Sequence, residues 1–268
     1  MSYNKSGRLT VIFLVVTFIF HSLAADIIYQ DFSDISGLSL NDDAAQVSGN
    51  ILRLTPSVGW QNGSAWLSAQ ETITNGFKTT FTFRISELNG PLWGADGFAF
   101  VIHTNALSTI GADGGGMGYD GVTNAFAIEF DTFYNGGADD GLGKNHTGIH
   151  VGGPTTPVLQ GNYRTATSNI PNMSDGDVHT VYIDYKPGDL KLYIDDMTTP
   201  VLTDNITIDN ELALDNGKAW IGFTAATGAD YENHDIESWS YFTGPIPFVI
   251  DTDPDEDSAE YIGSGPIT

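Results

Sequence analysis

Strict alternation of apolar and polar positions marks the clearest element in the chain. From Phe77 to Ile85, the residues Phe77, Thr79, Phe81, Phe83 and Ile85 share one face, while Lys78, Thr80, Thr82 and Arg84 share the other. A period of two predicts an antiparallel strand with one face against the core. Val181–Tyr185 and Leu190–Ile194 alternate in the same way. Lys186-Pro187-Gly188-Asp189 between them is rich in turn formers, so the pair is predicted to be a hairpin. Phe98–Ile102, Phe126–Phe130 and Ala219–Phe223 are more continuously apolar, the pattern of strands covered on both faces. No segment sustains a helical period over three turns. The expectation is an all-β antiparallel sandwich. With no cysteine in the chain, disulfides and cysteine-based metal sites are excluded, and stability must come from the core.

The two ends break this pattern. Lys5 and Arg8 precede an apolar run from Leu9 to Phe20, and Ser22-Leu23-Ala24 offers small residues for cleavage. This is the signature of a secretory signal peptide over residues 1–24, cut after Ala24 or Ala25. The run is too short for a membrane anchor, which needs about 20 apolar residues. The mature protein is therefore expected to be secreted or at the cell surface, with no membrane insertion after cleavage. Residues 25–243 form the predicted domain. At the other end Gly244-Pro245-Ile246-Pro247 stops the strand pattern, and Asp251–Glu260 is acidic with no base. Residues 244–268 read as an acidic tail or linker. They lack the glycine turn and closing glutamate of an EF-hand loop.

Charge narrows the partners. Ten Lys and Arg face 34 Asp and Glu, a formal net charge of −24. Such a surface repels phosphate backbones and anionic lipid, which argues against nucleic acid and membrane surfaces.

The densest set of ligand-type side chains begins in a predicted strand. Glu129 and Asp131 leave one face together, and Phe133 and Asn135 continue that side as the strand opens into a loop. Glycines at 136, 137, 141 and 143 let the loop fold back, so that Asp139 or Asp140, and then His146, return to the first carboxylates. Carboxylate, amide and carbonyl oxygens favour calcium, and a carboxylate-rich set with one imidazole suits manganese or a similar transition ion. Asp131 and Asp139 are placed to bridge two ions. The plainer alternative is an acidic loop at a strand end with no metal, since Asp and Asn are favoured turn residues.

Glu129–Asn135 with the downstream His146-Thr147-Gly148-Ile149 resembles the metal-binding loop of legume-type (L-type) lectins. Three other segments match in the family's order. They are Ala95-Asp96-Gly97-Phe98, Gly114-Gly115-Gly116-Met117-Gly118, and Trp220–Gly228 followed by His234–Trp239. The resemblance covers roughly residues 26–242 and is nearer to bacterial members than to seed lectins. It implies a concanavalin-A-like jelly roll, no enzymatic activity, and carbohydrate as partner, and it leaves an oligomer possible. It also implies site roles. Glu129, Asp131, Asp139 and His146 would hold the transition ion. Asp131, the Phe133 carbonyl, Asn135 and Asp139 would hold calcium. Asp96, Gly115 or Gly116, Asn135 and the Phe133 ring would hold a sugar, with Gly228 and Ala229 in the last specificity loop. The peptide before the aspartate is cis in the family. Two features depart from the pattern: Asp139 and Asp140 both suit the bridging position, with Asp139 preferred, and His150 and Gly152-Gly153 stand where many members carry Asp and Asn-Ser.

Carboxylate and amide groups suit vicinal hydroxyls, and an aromatic face suits the C–H side of a sugar ring. Any of Trp60, Trp66, Trp93, Trp220 and Trp239 has that chemistry. Trp66, Trp220 and Trp239 lie in strands and are expected in the core, leaving Trp93 as the best surface candidate. His103, His179 and His234 are scattered and read as structural. The competing functions are a glycoside hydrolase on the same sandwich and an adhesion module without a working sugar site. The hydrolase needs a second catalytic carboxylate, but Phe133 and Asn135 occupy the next same-face positions. Asp96, Phe133 and Asn135 argue against the empty module.

Overall fold

The computed structural model describes residues 26–89, 94–139 and 141–243. The expected leader, Trp93, Asp140 and the acidic tail lie outside the described residues. In chain order the strands are β1 (Ile27–Tyr29), β2 (Leu38–Asp42), β3 (Ala45–Val47), β4 (Ile51–Thr55), β5 (Asn62–Leu67), β6 (Glu71–Thr72), β7 (Phe77–Ser86) and β8 (Gly97–His103). They continue as β9 (Thr123–Asp131), β10 (His146–Pro157), β11 (Thr165–Thr167), β12 (Val178–Lys186), β13 (Asp189–Ile194), β14 (Leu202–Asp204), β15 (Lys218–Ala226) and β16 (Asn233–Thr243). One helical turn, α1 (Ile208–Glu211), and two 3-10 turns, Gly114–Gly116 and Gly136–Asp139, complete the described elements.

The strands form two antiparallel sheets. The back sheet runs β14-β13-β12-β7-β16-β4-β3, with β1 added to β16. The front sheet runs β11-β10-β9-β8-β15-β5-β2, with β6 added to β15. The sandwich expected from the patterning is the fold observed. Along β7 buried and half-buried positions alternate without a break, with Phe77, Thr79, Phe81, Phe83 and Ile85 inward. The predicted hairpin is β12–β13, paired from Val181 with Ile194 to Lys186 with Asp189. Gly188, at φ 83°, takes the left-handed turn conformation open to glycine.

Aromatic side chains from both sheets fill the space between them. Phe98 stacks on Phe130 at 4.7 Å between centroids, and Phe81 meets Phe223 edge-on at 4.9 Å. Each fully buried side chain of this size contributes about 1.5–3 kcal/mol by leaving water. The continuous apolarity of β8 and β9 has a separate cause. Phe98, Phe100, Ile128 and Phe130 face the back sheet, whereas Ala99, Val101, Ala125 and Ala127 face outward. That outer face is covered by Met117, Tyr119, Val122 and Val158 from the flanking loops. The loops thus make a second small core on the front sheet, and the candidate site lies at its Asp131 end.

The tryptophans divide differently from expectation at one position. Trp66 and Trp239 are buried, as expected. Trp220 is only half-buried, because near the start of β15 it shares the outward-facing, less buried side of the strand with Lys218. The scattered histidines each hold a contact within the fold. His103 Nδ1 accepts the Asn105 N–H, His179 lies between Asp195 and Asp175, and His234 Nδ1 pairs with the Thr55 hydroxyl.

Candidate functional site

The pairing of β9 with β10 assembles the carboxylate cluster. Asp131 lies opposite His146, and Glu129 opposite Gly148. Glu129, Asp131 and His146 therefore share the outer face, and their ligand atoms all lie within 4.8 Å of one another in a fully buried group. Glu129 Oε1 is 3.1 Å from His146 Nε2 without hydrogen-bond geometry, and Oε2 is 3.1 Å from His150 Nε2. The Tyr119 hydroxyl donates to Oε2 at 2.5 Å. Tyr163 closes the other side, its hydroxyl 2.9 Å from His146 Nε2. A Cβ at Gly148 would come within 2.5 Å of the Tyr163 ring, so only glycine permits this lid. Asp131 Oδ1 accepts the Phe133 N–H at 2.7 Å, which bends the chain out of β9. Asp139, in the following 3-10 turn, accepts the Asn135 N–H.

These groups strain each other electrostatically. Burial, then the Glu129 charge, pushes the Asp131 carboxyl well above the usual carboxylate range, with Asp139 and Asp96 adding to it. Burial acts on Glu129 in the same direction, but His150 and His146 more than offset it and hold that carboxyl low. Asp139 is raised, chiefly by burial. Glu129 Oε1, Asp131 Oδ2 and Asp139 Oδ1 are all buried with no hydrogen-bond partner. Buried polar atoms without partners are rare in native proteins and need an explanation. An oxygen-rich set with one imidazole fits a hard or borderline divalent cation.

The Asp96 segment is brought to the same end by β8, whose Gly97 pairs with Asp131. The Ala95–Asp96 peptide is cis. The Asp96 N–H donates to Ala226 O at 3.1 Å, and its carbonyl accepts the Thr132 N–H at 3.0 Å. The carboxyl is 4% exposed, and Oδ2 has no hydrogen-bond partner. It is pushed up to about 7 by burial, then by Glu232, Asp230 and Asp113, against a hydrogen bond from the Gly228 backbone. A Cβ on Gly228 would lie 3.2 Å from Asp96 Oδ2, and one on Gly114 3.9 Å away. A Cβ on Gly115 would lie 2.8 Å from Asn135 Nδ2, itself buried and unpartnered.

The structure thus brings Asp96, Gly115, Asn135 and Gly228 together, next to Asp131 and Asp139. It does not bring Gly116, which packs against Ala112 and Asp120 instead, because the 3-10 turn points it inward. Phe133 is half-buried and Ala229 exposed at the rim. Sequence reading passed over Gly114 as a lining residue, Tyr119 and Tyr163 around Glu129, and Glu232 beside Asp96. Gly114 lay within the glycine run. The other three carry no periodic signal: Tyr119 folds back from the loop just before β9, and Tyr163 and Glu232 arrive from loops farther along the chain.

Residues 30–239 match the model of the legume lectin beta-barrel domain. Favin of Vicia faba is 34% identical over 182 residues, covering 63% of this chain and 72% of favin. The probable L-type lectin-domain containing receptor kinase S.7 of Arabidopsis thaliana is 32% identical over 211 residues, 70% of this chain but only 29% of the kinase. Among solved structures, lectin II from Ulex europaeus superposes with a TM-score of 0.68 at 21% identity, covering 82% of this chain and 99% of that one. The winged bean acidic lectin complexed with methyl-alpha-D-galactose gives 0.66 at 26% identity, covering 81% and 97%. With the two-sheet fold and the family match over residues 30–239 in agreement, the chain belongs to the legume (L-type) lectin family of carbohydrate-binding proteins and is not an enzyme.

Proposed function

We propose that this protein is a secreted lectin that binds glycans in a calcium-dependent manner. The observation that carries the reading is the convergence of two unpartnered buried atoms, Asp96 Oδ2 and Asn135 Nδ2, beside glycines that leave the approach open. A carboxylate acceptor and an amide donor suit neighbouring sugar hydroxyls. Asn135 is tied to the carboxylate cluster through its N–H bond to Asp139, so metal at the cluster would order one sugar contact directly. Asp131, the Phe133 carbonyl, Asn135 and Asp139 would hold calcium, and Glu129, Asp131, Asp139 and His146 a transition ion such as manganese. The metals would supply charge neutralisation and rigidity; the sugar would contact the protein's own atoms. Asp96, Gly114, Gly115, Asn135, Gly228 and the Phe133 ring would line the sugar pocket, with Ala229 at its edge.

The test is a glycan array probed with the protein in calcium and in EDTA. Binding to a defined glycan class in calcium, lost in EDTA, is expected. Absence of binding in both conditions would reject the reading, and EDTA-resistant binding would reject its calcium dependence.

A further inference from the structure

Trp60 is the most exposed large apolar side chain among the described residues, at 67%. It stands in the turn between β4 and β5 with φ at 60°, a left-handed conformation that is an outlier for a bulky side chain. Residues held in such conformations gather at ligand clamps and similar sites. Nothing in either core uses this indole.

Its backbone is held firmly against the rim of the Asp96 pocket. The Trp60 N–H donates to Gly228 O at 3.0 Å. On either side of it, the Gln61 N–H donates to Thr227 Oγ1 at 2.9 Å, the Thr227 N–H to Gln61 O at 2.9 Å, and the Thr227 hydroxyl to Val58 O at 2.7 Å. A Cβ on Gly59 would lie 3.0 Å from Gly228 O and 3.4 Å from the Tyr231 ring, so the turn lies flat on the 227–231 loop. Gly228 abuts Asp96 Oδ2 on its other side. One residue therefore separates the backbone of an exposed tryptophan from the proposed sugar carboxylate. Val58, 52% exposed, extends the apolar surface outward.

We propose that Trp60 forms an added subsite, its indole receiving the sugar unit next to the one held at Asp96; this rests on the saccharide site proposed above. The chemistry is complementary. Asp96 and Asn135 recognise hydroxyls, while an exposed aromatic face packs on the apolar C–H side of a neighbouring ring. The subsite makes the protein a reader of oligosaccharides rather than of single terminal sugars. Because the backbone of the 58–61 turn is already tied down, using the subsite requires ordering of the indole alone.

The experiment uses an array that carries oligosaccharides beside their terminal monosaccharides, followed by calorimetry on the best pair with calcium saturating. Wild type, Trp60→Ala and Trp60→Phe are compared, with melting curves to verify folding. Wild type is expected to prefer the oligosaccharide. Trp60→Ala should weaken oligosaccharide binding about tenfold more than monosaccharide binding, a difference of about 1.4 kcal/mol. Trp60→Phe should recover most of it. Indole emission should shift on adding the oligosaccharide to wild type and not to Trp60→Phe. The proposal is overturned if Trp60→Ala matches wild type on the oligosaccharide, or if it weakens both ligands equally. A wild-type protein that binds no glycan overturns the lectin reading itself, and is thereby distinct from the failure of this subsite alone.

Discussion

Replacing Asp131 with asparagine is expected to stabilise the metal-free protein and to remove most of its response to calcium. Asp131 is fully buried; Oδ1 accepts the Phe133 N–H at 2.7 Å, and Oδ2 has no hydrogen-bond partner. Asparagine keeps the shape and can keep the Oδ1 acceptor, while placing an amide donor among the Glu129 and Asp139 carboxylates. Relieving one unsatisfied buried polar group contributes about 1–3 kcal/mol. At about 2–4 °C per kcal/mol for a domain of this size, the melting temperature in EDTA should rise by roughly 2–12 °C. The pH dependence fixes the sign. Burial and Glu129 raise the folded pKa of Asp131 above its ordinary 3.8. Its contribution is therefore favourable below that value and is lost as pH rises toward the folded pKa. The advantage of asparagine should vanish near pH 4 and be larger near pH 8. In calcium at about 100 times its dissociation constant the wild type gains about 2.7 kcal/mol, and the variant should gain little of it. Scanning calorimetry at both pH values, with EDTA and with calcium, measures all four quantities. A variant less stable than wild type in EDTA at pH 8, with its calcium shift intact, would refute the reasoning.

Asp96→Asn should lower glycan affinity on the order of 100-fold, from the loss of charge-assisted hydrogen bonds of about 1.5–3 kcal/mol each. Its calcium titration should be close to wild type, and a glycan affinity equal to wild type would remove Asp96 from the site. Asp139→Ala should impair calcium binding more than Asp140→Ala, because Asp139 is the carboxylate tied to Asn135 and buried beside the cluster; the reverse order in titration calorimetry would shift the loop by one residue. Calcium uptake should release protons and weaken as pH falls, because burial raises both Asp131 and Asp139 and the metal must displace the protons they hold. Calorimetry in two buffers of different ionisation enthalpy reads the proton count, and a count that did not grow as pH is lowered would contradict those shifts.

The strands were legible in the sequence because their signal is local. Alternation along Phe77–Ile85 depends only on the two-residue period of a strand, and the β12–β13 hairpin only on a short turn at Pro187-Gly188. Glu129 and Asp131 could be paired for the same reason, being two apart on β9. What the tertiary structure decided is which distant pieces meet. β16 inserts between β7 and β4, and β15 between β8 and β5, pairings that no local period encodes. The register of β8 on β9 carries Asp96 to Asp131, the loop just before β9 folds Tyr119 back onto Glu129, and more distant loops deliver Tyr163 to Glu129 and Glu232 to Asp96. The tryptophans show the same division. Trp66 and Trp60 are six residues apart with the same apolar side chain, yet one is buried under the Thr109 carbonyl and the other stands in solvent. Composition supplied the apolar surface in both cases, and only the packing of the loops over the front sheet determined which of it would be removed from water.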